Sequence, residues 1–196
     1  MAKRYVVGID IGGTHTVFGI VDTDGHIVAC DKIMTGEYPE LSDYISSLAK
    51  AVTEQISANR LEGQIEGIGI GAPAVNHNTG VIEGAVDLPW PSPIPLKEMM
   101  ESATGLPVSA TNDANAAAIG EQIYGAGRGL SDFIILTLGT GIGSGIVSDG
   151  HLVHGHRGLA GELGHTIIRP GGRQCSCGRK GCLEAYASAS GIVGTA

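Results

Sequence analysis

The stretch RYVVGIDIGGTHTVFGIV, residues 4–21, reads as two apolar runs, 4–11 and 16–21, joined by Gly12, Gly13 and Thr14. Short apolar runs bounded by turn residues predict strands, and the joint is a glycine turn. After Asp24-Gly25, a pair suited to hairpins, residues 26–33 supply a third strand, so the chain opens as a β-meander. Asp10 stands near the end of the first strand, where a plain hairpin needs no carboxylate. Glycines expose backbone N–H groups, Thr14 adds a hydroxyl, and Asp10 can hold hydrated Mg2+ beside phosphates.

The same plan returns in FIILTLGTGIGSGIV, residues 133–147: a strand, a glycine turn carrying a threonine, and a returning strand. Two such turns predict duplicated halves gripping one polyphosphate from both sides, with Gly139, Thr140, Gly141 and Gly143 on the second side. The plainer alternative is a glycine-kinked hairpin in a barrel-like sheet.

Between them, residues 39–59 carry Leu41, Tyr44, Ile45, Leu48, Val52 and Ile56 near a helical period, which predicts an amphipathic helix with Pro39 in its first turn. Residues 65–71 form a strand whose end, at Gly71 and Ala72-Pro73, lies where ligands of α/β sheets gather. Residues 75–95 are rich in turn formers and predict an ordered loop with Trp90 packed inside it. A short helix over 96–104, stopped by Gly105, precedes a strand over 107–110. TNDANAAA, residues 111–118, has the form of a helix N-terminus. Asp113 reads as an N-cap by default, but Asn112 and Asn115 flank it, and buried amides are costly unless they bond something.

The chain has 196 residues, 32 of them glycine, and those glycines are spread through apolar runs, as in an α/β protein with tight turns near ligands. A net charge of −8 argues against nucleic-acid and anionic-membrane partners, which are attracted by lysine and arginine patches. The N-terminal apolar run is broken by Asp10, so neither a signal peptide nor a membrane span is expected, and the expected compartment is the cytoplasm.

Chemistry concentrates in GELGHTIIRPGGRQCSCGRKGCLEAYAS, residues 161–188. Cys175, Cys177 and Cys182 fall close together, with His165 upstream, making the four soft or borderline ligands of a tetrahedral structural zinc site. A disulfide fits poorly, since an odd cluster leaves one thiol over. Glu162 and Glu184 flank the ligands, and closing the loop on zinc fixes both carboxylates to accept hydrogen bonds from a polyhydroxylated ligand. Two solvated surface glutamates are the alternative.

Together, Asp10-Gly12-Thr14, Asn112-Asp113, residues 139–145, Gly161-Glu162-His165 and Cys175-Cys177-Cys182-Glu184 resemble the ROK family of bacterial sugar kinases and repressors. The resemblance implies an α/β fold of the actin/hexokinase-like (ribonuclease H-like) kind. Two lobes are expected, 1–112 and 113–196, the second incomplete because family members continue further. It implies transfer of the ATP γ-phosphoryl group to a hexose 6-hydroxyl, with glucose as the leading sugar and N-acetylmannosamine or N-acetylglucosamine as alternatives. By position, Asp113 matches the general base. Asn112, Glu162, His165 and Glu184 match sugar-binding residues, and Gly71 lines the same cleft. The implied cofactors are ATP, Mg2+ and structural Zn2+, and a homo-oligomer, dimer or tetramer, is expected. Asp87 departs from the asparagine of glucokinase-like members. Regulators of the family carry a helix-turn-helix ahead of the first turn, and with nine residues before Asp10 a sugar-sensing regulator is the less expected alternative. A zinc-stabilised sugar-binding module without turnover is the remaining alternative.

Overall fold

Strand β1 (Tyr5–Ile11) turns back through residues 12–14 into β2 (His15–Asp22), which pairs in turn with β3 (Ile27–Met34), the meander expected from the sequence. The computed structural model describes residues 4–85, 88–156 and 158–194; Asp87 lies outside them. Helix α1 (Leu41–Ala58) starts two residues after Pro39, because Glu40 keeps an extended backbone (φ −103°, ψ 132°), so Pro39 stands outside the first turn. The helix buries Tyr44, Ile45, Leu48, Ala49, Val52 and Ile56, the stripe that a 3.6-residue period predicts.

Strand β4 (Ile65–Gly71) runs parallel to β1, and β7 (Val108–Thr111) parallel to β4, which completes a sheet of order β3-β2-β1-β4-β7. Val7, Ile9, Phe18, Ile20, Ile68 and Ile70 fill its core with α1. Burying each such side chain contributes about 1.5–3 kcal/mol. The expected loop over 75–95 is ordered but holds two short strands, β5 (Val75–Asn76) and β6 (Val81–Ile82), too brief to leave a period in the sequence. Trp90 is packed: its Nε1 donates to the Tyr38 carbonyl at 3.0 Å, and its ring lies 4.5 Å from that of Tyr44. Helix α2 (Leu96–Thr104) ends at Gly105, whose φ of 70° suits a residue without Cβ.

The chain divides into two compact units, Met1–Asp113 and Ala114–Ala196. The second contains most of α3 (Asp113–Tyr124) and an antiparallel sheet of β8 (Phe133–Leu138), β9 (Ile142–Ser148) and β10 (His151–Leu152). Two short helices, α4 (Glu184–Ala187) and α5 (Ala189–Val193), follow the cysteine loop. Gly143 and Gly145 sit within β9: a Cβ would meet that of Ala114 at 2.9 Å from position 143 and that of Ala118 at 2.5 Å from position 145. Helix α3 can lie this close only because those two positions lack side chains. On β8, Ile134, Leu136 and Leu138 remain 54%, 51% and 67% exposed. Among the described residues no helix is long and apolar enough to cross a membrane.

Candidate active site

Parallel pairing sets Asp10 opposite Gly71 and Gly71 opposite Thr111, so the C-terminal ends of β1, β4 and β7 form one row. Asn112 follows directly, and Asp113 opens α3. Ligands of parallel α/β sheets collect at such strand ends. Asp10 is exposed, yet partial burial of its carboxyl and, second, the negative charge of Asp113 raise its pKa above the ordinary aspartate value. A carboxyl raised by a neighbouring acid is in a setting that favours a cation beside it, and an all-oxygen donor set suits Mg2+.

The turn after Asp10 is braced by its own strands. Gly12 N–H donates to the His15 carbonyl at 2.9 Å, and Thr35 N–H to the Thr14 carbonyl at 2.9 Å. Below it, the buried Thr16 hydroxyl meets the Thr35 hydroxyl at 2.9 Å and the Tyr44 hydroxyl at 2.7 Å. Burial raises the Tyr44 pKa, so it remains a neutral phenol within this network.

The second turn, residues 139–141, is braced from elsewhere in the sequence. Ile142 N–H donates to Glu184 Oε2 at 3.0 Å, while Ser176 Oγ donates to Glu184 Oε1 at 2.8 Å. Partial burial pushes the Glu184 pKa up, but the Ile142 N–H, the Ser176 hydroxyl and His165 outweigh it and hold the carboxyl below its ordinary value. Ser144 Oγ donates to the Gly161 carbonyl and accepts from Leu163 N–H at 3.1 Å. It thereby fixes the backbone on both sides of the exposed Glu162. Asn115 is 1% exposed, and neither its Oδ1 nor its Nδ2 has a hydrogen-bond partner among the described residues.

His165, Cys175, Cys177 and Cys182 each offer a ligand atom, and those atoms all lie within 4.8 Å of one another. Cys175 Sγ is 3.6 Å from His165 Nδ1, and Cys177 Sγ is 3.7 Å from Cys182 Sγ. All three thiols are free of disulfides. The loop is closed by backbone: Cys175 N–H donates to the Arg179 carbonyl at 2.9 Å and Gly181 N–H to the Arg173 carbonyl at 2.8 Å. A Cβ at Gly181 would overlap the Arg169 carbonyl oxygen, and its φ is 85°. The Arg179 backbone N–H, then its guanidinium, lower the Cys177 pKa to about 6, whereas burial and the neighbouring thiols raise Cys182 to about 11. Three sulfur donors and one imidazole converging on one point are the donor set of a tetrahedral Zn2+. Nδ1 of His165 is the ring nitrogen near Cys175 Sγ, and its Nε2 lies 4.0 Å from Glu162 Oε2, beyond hydrogen-bond distance.

Within the first unit the structure brings together Asp10, Gly71, Asn112 and Asp113. Within the second it brings together residues 139–143, Glu162, His165, Glu184 and the three cysteines. Sequence reading did not find Ser144, Ser176 or the Ile142 amide, because their partners are 17, 8 and 42 residues distant and leave no local pattern.

Comparison with known proteins extends these local likenesses across the chain. It is 42% identical over 196 residues to a glucokinase of Halalkalibacterium halodurans, a match covering 98% of this chain and 59% of that protein. It is 38% identical over 195 residues to an N-acetylmannosamine kinase of Citrobacter koseri, covering 97% of this chain and 63% of the other. A crystal structure of a ROK family glucokinase from Streptomyces griseus with glucose and AMPPNP superposes with a TM-score of 0.78 at 40% identity, covering 96% of this chain and 59% of that one. The chain thus spans about three fifths of the length of the glucokinases it matches. The fold is therefore the α/β fold of the ROK sugar kinases, and with the family profile matching residues 6–196, this chain belongs to the ROK family.

Proposed function

We propose that the protein containing this chain transfers the γ-phosphoryl group of ATP to the 6-hydroxyl of a hexose, glucose first among them, in the cytoplasm and as a homo-oligomer. The observation that carries this reading is the row Asp10, Gly71 and Thr111, followed by Asn112 and Asp113, at the ends of three parallel strands. An acid at the start of a helix beside a metal-binding acid is the arrangement phosphoryl transfer needs, since that reaction depends on positioning and charge stabilisation. Asp113 takes the proton of the 6-hydroxyl as its oxygen bonds to the γ-phosphorus, and the bond to the ADP oxygen breaks. Asp10 holds Mg2+, and Gly12, Gly13 and Thr14 in the first unit and Gly139, Thr140, Gly141 and Gly143 in the second are assigned to phosphate binding. Asn112, Glu162, His165 and Glu184 bind the sugar hydroxyls.

His165, Cys175, Cys177 and Cys182 hold zinc, which supplies a fixed scaffold and, with four protein ligands, no open position for substrate. The glucokinase relatives, at up to 42% identity, favour glucose over N-acetyl sugars, and a panel of hexoses tests that choice. Asp113→Asn in the full-length protein should lower kcat by roughly 10²–10⁴-fold. Glucose affinity measured by calorimetry should remain near wild type. Turnover retained while glucose affinity collapses would assign Asp113 to binding instead.

A further inference from the structure

The segment that leaves the last cysteine grips the second glycine turn at three points. Glu184 Oε2 accepts from Ile142 N–H at 3.0 Å, Ala189 N–H donates to the Gly139 carbonyl at 2.9 Å, and Ser190 Oγ donates to the Thr140 carbonyl at 3.3 Å. A Cβ at Gly141 would stand 2.6 Å from Glu184 Oε2, so the carboxylate also occupies the space beside the turn. The other oxygen of Glu184 is bound by Ser176, between Cys175 and Cys177, with Cys175 Sγ 3.6 Å away. One carboxylate therefore touches the ligand loop with one oxygen and the turn with the other.

We infer that residues 184–190 are a strap through which occupancy of the His165-Cys175-Cys177-Cys182 set orders the 139–142 turn, so that bound metal strengthens nucleotide binding as well as fixing the sugar side. Glu184 is then a positioning residue for the turn in addition to its proposed contact with sugar, and Ser190 is a positioning residue alone. The physical basis is that a loop closed on an ion holds Ser176, Ser176 holds the carboxylate, and the carboxylate holds the Ile142 amide in the hairpin. With the loop open, Glu184 regains its rotamers and the turn loses its charged acceptor, a bond stronger than a neutral one. The assignment of the turn to phosphate rests on the function proposed above; the strap itself does not.

The test is a cycle on the full-length protein: with and without chelation, in wild type, Glu184→Ala and Ser190→Ala, with zinc measured by metal analysis. Two quantities are read, the affinity for a non-hydrolysable ATP analogue by calorimetry and the hydrogen exchange of the Ile142 amide. Chelation should weaken analogue binding about tenfold in wild type, the size of one charge-assisted hydrogen bond, and accelerate exchange at Ile142. In Glu184→Ala, both effects should already be present with zinc bound, and chelation should add little, because the two changes break the same link. Ser190→Ala, which leaves Glu184 in place, should bind zinc fully and lose about twofold to threefold in analogue affinity. If Glu184→Ala fails to retain zinc, Ser190→Ala carries the cycle. Unchanged Ile142 exchange after chelation, or fully additive losses, would overturn the strap. Wild-type protein that binds no analogue would instead sink the nucleotide reading, while the exchange measurement still decides the strap.

Discussion

The two glycine-turn meanders, β1-β2-β3 and β8-β9-β10, share a plan and differ in what holds them. The first lies in a five-stranded sheet, is backed by α1, and its turn is braced by backbone within the meander and by the buried Thr16, Thr35 and Tyr44 hydroxyls beneath it. The second lies in a three-stranded sheet, keeps an apolar row exposed on β8, and takes its bracing from Glu184 and Ala189, more than forty residues away. One turn is therefore set by local folding and the other by a distant loop, the one for which a zinc ion is proposed above. The same local motif is thus braced from within in one copy and from a distant segment in the other.

The most severe way to break this comparison is to open the loop. Cys182→Ser should abolish stoichiometric zinc, and a structural site of this kind is worth about 10 kcal/mol or more in zinc-finger peptides. Hydrogen exchange should then rise across residues 163–184 while amides of β1 and β2 stay protected; equal loss in both would show the meanders to be equally dependent. A glycine exchange sharpens the contrast at smaller cost. Gly145→Val drives a side chain into Ala118 and the Ala114 carbonyl and should destabilise by about 1–3 kcal/mol. Gly12→Ala, whose Cβ meets only the His15 carbonyl at 3.2 Å, should lower thermal stability less. The smallest effect is in the acid limb of stability. The Glu184 pKa is lower folded than unfolded, so its bonds contribute stability above the ordinary glutamate range that is lost as pH falls through the folded value. Glu184→Gln should flatten that limb in thermal melts between neutral and acid pH.

Most elements were legible because the chain marks them locally. Strands 65–71 and 133–138 and the helix over 96–104 have the bounds that their apolar runs and Gly105 predict. The strand expected over 107–110 runs one residue later, Val108–Thr111, since Pro107 cannot donate to the ladder. His165, Cys175, Cys177 and Cys182 could be picked out by residue type and spacing, and they converge. What the sequence hid are pairings between distant residues. Glu184 read as a sugar ligand because of its neighbour Cys182, and nothing near it announces Ile142. Gly143, expected in the phosphate turn, is the second residue of β9, and a Cβ there would meet Thr137 Oγ1 at 2.5 Å and Ala114 Cβ at 2.9 Å, contacts that no local pattern announces. Asn115 was suspicious as one of two asparagines beside Asp113, and its buried amide without a partner keeps it so.

The single tryptophan gives the molecule a built-in spectroscopic division of labour. Trp90 is buried against Tyr44 in the first unit, and the second unit contains no tryptophan. Indole emission therefore follows denaturation of the β1–β7 half and is silent about the cysteine loop, whereas cobalt placed among the three thiolates would absorb visible light and follow the loop alone. Two colours in one cuvette can then tell whether the halves melt in one step or two.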